Sequence, residues 1–179
     1  MVKQPARKAE ISSQSPTEMF HQIHERLRNV LVRACSNSEP SRQIVDAFEA
    51  CLVYSFSKGG SKSLKGVVDT LLEEPTVTRR KLGLTTARFY FDSESSTGGF
   101  HRLLLHAVCH FHGLNAASSN IELDKMPVRL LTVTGKELAV QDIKLTDYIK
   151  MATDSCAASV RKMGQSRRQS FAHSRRKHD

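Results

Sequence analysis

Apolar residues recur at helical spacing through the first third of the chain and switch to strand-like alternation in the middle. In "SPTE" (15–18), Ser15 reads as an N-cap, Pro16 as the first helical residue and Glu18 as the closing member of a capping box. Behind it Phe20, Ile23, Leu27, Val30 or Leu31 and Ala34 follow one face of a helix. A second start at Ser38 leads into Ile44, Val45, Phe48, Cys51, Leu52 and Phe56, and Gly59-Gly60 ends it. The two helices are expected to pack as an antiparallel pair over residues 15–60. "SLKGVVDTLLEE" predicts a shorter helix stopped by Pro75. "ARFYFD" (87–92) and "VRLLTVTG" (128–135) alternate as strands, "NIELD" (120–124) more weakly. "TDYIKMATDSCAASVRKMG" predicts a C-terminal helix over 146–163, with Thr146 as its cap and Gly164 after its end.

Between the strong strands lies "GGFHRLLLHAVCHFHGLNAASS" (98–119), which holds four of the eight histidines. Successive helical residues turn by about 100°. With Phe100 as origin, Leu103, Leu104, Ala107, Val108 and Phe111 form the expected core stripe. Arg102, His106 and Cys109 then fall opposite, His101 and His112 on one flank and His110 on the other. On this reading the histidines face outward, the serines of "SESSTGG" cap the helix, and Gly113 follows its end. Four chemistries compete for such a face: a plain solvated surface, a metal site of His106, Cys109 and His112, a Cys109–His106 nucleophilic pair, and anion recognition. The metal site needs further ligands from elsewhere. The nucleophilic pair has no visible orienting group or oxyanion site. Arg102 offers a planar fork of donors to phosphate oxygens, with His106 one turn away.

The net charge of +9 suggests nucleic acid until it is located. Residues 160–179 carry +6 and residues 1–14 carry +2, leaving +1 for residues 15–159. The folded part is nearly neutral, so bulk charge alone does not make it a nucleic-acid binder. Both ends, 1–14 and 164–179, are polar and expected to be disordered. In the basic tail, Arg161, Lys162, Arg167, Arg168, Arg175, Arg176 and Lys177 can contact phosphates without sequence preference, or serve as a nuclear import signal. "RRQS" (167–170) also suits a basophilic kinase acting on Ser170.

The remaining composition excludes more than it assigns. No apolar run approaches membrane-spanning length, and "MVKQPARKAE" has no apolar segment behind its basic start, so neither a membrane span nor a secretory signal is expected. Cys35, Cys51, Cys109 and Cys156 form no CxxC pair, which points to a reducing compartment, nucleus or cytoplasm. "SKGGSKS" (57–63) lacks phosphate-loop spacing and reads as a helix end and turn.

The ordered set around Arg102 resembles the R-3-H domain, named for an Arg and a His separated by three residues. Arg102 and His106 stand at those positions, after an apolar Phe100. Gly113-Leu114, then Ser118 and Ser119, then Arg129 leading "LLTVT" follow in the same order. Asn120 stands where many members have a glycine. The resemblance covers roughly 61–135, most specifically 98–134. It implies an α+β fold, a three-stranded antiparallel sheet with two helices on one face, over 61–145 (core 87–135). It implies a non-enzymatic module that binds single-stranded RNA or DNA, with no cofactor and no resident metal. Arg102 and His106 would contact phosphate, with Arg129 beside them. Tyr90 next to Arg88 offers a stacking platform on an open sheet face. The competing expectation is a protein-interaction scaffold that uses the amphipathic N-terminal helices.

Overall fold

The computed structural model describes residues 15–80, 83–138 and 143–154. It is an α+β protein with an antiparallel sheet of four strands, in the order β1-β2-β4-β3, rather than three. The strands are β1 (Thr76–Arg79), β2 (Thr85–Asp92), β3 (Asn115–Leu123) and β4 (Met126–Gly135). The extra strand, β1, is short and mostly exposed, so it carries none of the apolar alternation that marks β2.

The N-terminal helical run is two helices, not one. Ser15 and Glu18 form the expected capping box of α1 (Pro16–Gln22). The chain then turns extended at Ile23, and the His24 imidazole accepts from Arg26 N–H to start α2 (Glu25–Asn37). Ile23 stays on the apolar face through the break and is buried. Ser38 caps α3 (Glu39–Lys58), and Gly59 closes it in the left-handed conformation, φ 76°. Between α2 and α3, the Arg42 guanidinium donates to the Cys35 carbonyl at 3.1 and 3.3 Å, satisfying a helix-end acceptor.

The segment expected as a short helix before Pro75 is a chain of turns. Leu64, Val68 and Leu71 bury their side chains or pack on the core at helix-like spacing, but Gly66 takes φ 81°. The Glu74 carboxylate accepts from Ser63 Oγ and Leu64 N–H, capturing donors that a continuing helix would orient differently. The end of this segment lies along β2, with Leu72 N–H donating to Tyr90 O and Asp92 N–H to Thr70 O.

β3 and β4 form a hairpin whose turn residues, Asp124 and Lys125, both have positive φ (49° and 66°), the sense that matches strand twist. Asn120, in the place of the family glycine, is a regular strand residue paired with Arg129. α4 (Gly98–Phe111) lies between one sheet face and the helices, in contact with α1, α2, α3, β2 and β3. Phe48 of α3 meets Phe89 and Phe91 of β2 edge-on, each at 6.4 Å.

A fifth helix, α5, occupies residues 145–154, the last described. Its start is held by α3: Leu145 N–H donates to the Glu49 carboxylate, and Thr146 Oγ to Asp46 at 2.6 Å. Leu145 and Ile149 join an apolar cluster that begins at Met19 and takes in α1–α4 and the sheet. The apolar faces of the N-terminal helices are therefore consumed in the same core as the sheet. The expected helix beyond 154, Cys156, Ser170 and both tails lie outside the described residues.

Candidate nucleic-acid interface

α4 is closed in on two sides, and this changes which of its residues face out. Thr97 is its N-cap but makes no side-chain capping bond; Ser95 Oγ pairs with Thr97 Oγ1 instead of with the helix end, so the expected serine cap is absent. Gly98 fits tightly: a Cβ there would sit 2.8 Å from the Asp92 carbonyl oxygen. Gly113 ends the helix at φ 64°, and Leu114 N–H donates back to Cys109 O.

The expected outward set is corrected at three positions. Cys109 is fully buried, and His101 and His112 are only 6% and 7% exposed, whereas Leu103, expected in the core, is 43% exposed. A helix read alone shows one apolar stripe, but α4 meets a sheet on one side and three helices on the other. The additional buried arc accepts histidines because each finds a partner. His101 Nδ1 lies 2.8 Å from Thr70 Oγ1, and His112 Nε2 lies 3.0 Å from Glu49 Oε1. Burial raises the Cys109 thiol far above its ordinary range, and the same cause pushes Cys35 up to about 11. His106 turns to Ser118, His112 to Glu49 and Cys109 is buried in the core, and among the described residues no hydrogen bond joins Cys109 to His106. Among the described residues no group of three or more His, Cys, Asp or Glu is placed to hold a metal ion.

Besides the partly buried Phe100, which packs on the core, what remains open on α4 is a narrow strip: Gly99, Arg102, Leu103, His106 and His110. The strip overhangs β3, the edge strand. The register explains what it meets there. Phe89 pairs with Leu131 and Leu131 with Ser118; Phe91 pairs with Arg129 and Arg129 with Asn120. Paired residues share a face, so Ser118, Asn120 and Arg129 lie on the α4 side of the sheet, where the small and polar "NAASSN" leaves them uncovered. His106 Nε2 and Ser118 Oγ are 3.0 Å apart, tying helix to edge strand.

The electrostatics of this corner are one-sided. The Arg102 guanidinium is held below its ordinary value, first by partial desolvation and then by the positive charge of Arg129. His106 is likewise lowered, first by burial, then by His110 and Arg102. Among the described residues neither Arg102 nor Arg129 forms a salt bridge with a carboxylate. Two guanidiniums, an imidazole and a hydroxyl thus lie on one side of the sheet, and among the described residues no carboxylate salt bridge offsets the two guanidinium charges. Such a cluster is chemically suited to an anion with several acceptor oxygens.

Arg88 and Tyr90 do not belong to this corner. They alternate with Phe89 and Phe91 on β2, which places them on the opposite sheet face, where both are half-buried. Arg167, Arg168, Arg175, Arg176 and Lys177 lie outside the described residues. Ser118 and His110, by contrast, join the corner without having been singled out for it. The available signal was the spacing His106–His110, one helical turn on from Arg102–His106, followed by strand residues too small to cover it.

Among the described residues no helix is long and apolar enough to cross a membrane. Comparison with protein-family models, with curated proteins and with solved structures gives no match.

Proposed function

We propose that this chain binds single-stranded nucleic acid, RNA or DNA, without catalysing a reaction, through an R-3-H-like helix-and-strand corner. The observation that carries the reading is that Arg102 and Arg129, on the same side of the sheet and without a carboxylate salt bridge among the described residues, flank the His106–Ser118 pair. A phosphodiester supplies the missing negative charge. Arg102 and Arg129 donate to its oxygens, and His106 and Ser118 complete the donor set. The basic tail adds salt-sensitive affinity without sequence preference and would favour a nuclear location. The tight seat of α4 between sheet and helices keeps the donors in place before the ligand arrives, which reduces the ordering cost of binding.

The alternative, a protein-interaction scaffold working through the N-terminal helices, has less support. Met19, Phe20, Ile23, Leu31, Val45 and Phe48 spend those helices' apolar faces inside the molecule.

Fluorescence anisotropy with labelled single-stranded RNA and DNA across a salt series tests the proposal. The proteins compared are the full chain, Arg102→Ala/His106→Ala, and a variant with Arg167, Arg168, Arg175, Arg176 and Lys177 changed to Gln. The expected result is a larger loss from the double variant at moderate salt. Loss confined to the tail variant overturns the corner as the site.

A further inference from the structure

The open strip of α4 does not stop at the phosphate corner. Arg102, His106 and His110 succeed one another at four-residue intervals, roughly 6 Å apart along the helix axis. His110 stands at the rim of a hollow where α4 ends and β3 begins. Gly113, Ala116 and Ala117 line it without bulk, Gly113 turning the chain into β3. Its walls are not small. Gln22, Asn115, Thr132 and Thr134 line it, and the pairing of Asn115 with Thr134 and of Ala117 with Thr132 puts those strand residues on the face opposite Ser118 and Arg129, so the hollow reaches round the edge of β3.

Gln22 comes from α1, which lies outside the stretch resembling the R-3-H domain. Met19 and Phe20 bury α1 in the core, which includes α4, and the break at Ile23 ends it with Gln22 exposed at the hollow. Among the described residues, the lining includes no acidic residue and no Lys or Arg. Nothing there is built to hold a phosphate by charge. Side-chain amides each offer donors and an acceptor, the complement of a nucleobase edge. An imidazole at the rim offers a flat ring on which an unstacked base can lie.

We infer that this hollow seats a nucleobase of the strand whose phosphate lies at Arg102, Arg129 and Ser118, and that Gln22 and Asn115 read that base's edge. The inference rests on the phosphate reading above and adds to it a base preference and a contribution from α1. The helical strip sets the separation: Arg102 to His110 spans about 12 Å, which places the read base about two nucleotides from the clamped phosphate. The corner positions the strand and the hollow discriminates, the usual division between backbone and base contacts.

The test uses the full chain with fluorescently labelled hexanucleotides of rA, rU, rC, dA and dT at one moderate salt concentration. Wild type, Gln22→Ala/Asn115→Ala and Arg102→Ala are compared. Both substituted amides are exposed, and thermal melting checks that the variants remain folded. The expected wild-type result is a spread of about fivefold or more between the best and worst base. The amide variant should compress that spread to within about twofold, with the salt dependence unchanged, since no phosphate contact is lost. A wild type indifferent to base, or an amide variant that keeps the wild-type ranking, overturns the inference while leaving the phosphate corner standing. Hexamer binding that does not depend on Arg102 defeats the phosphate reading and the inference with it.

Discussion

The buried His112 imidazole, at the C-terminal end of α4, lies 3.0 Å from Glu49 Oε1 of α3, and the same carboxylate accepts from Leu145 N–H of α5. One acidic group thus joins three helices. With Nε2–H donating, His112 Nδ1 is left buried without a hydrogen-bond partner. Glu49→Gln keeps the volume but replaces one acceptor oxygen by a donor amide, facing two groups that both need acceptors. It is expected to cost about 2–3 kcal/mol by denaturant unfolding, the range for a buried bond to a charged group. A loss below 0.5 kcal/mol would show the three-helix joint to be dispensable.

Arg129 should trade stability against binding. In the free protein its charge repels that of Arg102, and among the described residues neither forms a salt bridge with a carboxylate. Arg129→Ala is expected to leave the melting temperature unchanged or slightly higher. Single-strand affinity should fall, and the slope of log affinity against log salt should shrink by about 0.7, the value for one lost phosphate contact on a single strand. Parallel melting and salt-titration experiments check both halves.

Histidine titration gives two opposite pH trends. In the folded free chain, burial chiefly holds both His101 and His106 below their ordinary value. The unfolded chain therefore takes up protons first as pH falls. The stability contributed by the two neutral imidazoles is fully present above the ordinary histidine value near 6.5 and is lost as pH drops towards their folded values. Binding runs the other way. A phosphate beside His106 favours its protonated form, so affinity should rise as pH falls from 8 towards 6, with proton uptake on binding. That gain disappears as pH rises through the bound-state value. His106→Gln should flatten the affinity profile, which anisotropy at constant salt measures, while melting curves follow the stability trend.

Gly98 is required by contact, and Gly113 by conformation. At Gly98 the obstacle to a Cβ is a backbone oxygen that cannot rotate away, whereas at Gly113 there is open space and only the left-handed φ to resist. Gly98→Ala should cost about 1–3 kcal/mol, the range for overpacking, and Gly113→Ala about 1–2 kcal/mol. Because Gly98 seats the first turn of α4, its substitution should also shift Arg102 and weaken binding. Urea titration ranks the stabilities, and anisotropy tests the second effect.

Much of this organisation was legible residue by residue. Ser15, Ser38 and Gly59 mark helix ends by chemistry that acts within a few residues, so local sequence suffices. The alternation in β2 and β4 is equally direct, because each has one face in the core. Leu103, Cys109, His101 and His112 were misplaced because burial on a second side depends on helices distant in sequence. The turns over 63–74 imitate a helix for a related reason: Leu64, Val68 and Leu71 all point into the core, and only the Gly66 backbone and the Glu74 carboxylate show that they do so without one. At the candidate site, the spacing placed Arg102 and His106 one turn apart on α4, and only the resemblance to the R-3-H domain singled the pair out. The partnership of His106 with Ser118 and the separation of Tyr90 from both required the strand register.

The confinement of α4 also bears on how this surface can change over evolutionary time. Most of the helix answers to the core, where nearly every replacement disturbs packing. Positions 99, 102, 103, 106 and 110, with the exposed residues of β3, are comparatively exempt. Variation in ligand preference among descendants of this sequence should therefore concentrate in one line of helix positions and one facing strand, while the frame beneath them stays nearly constant.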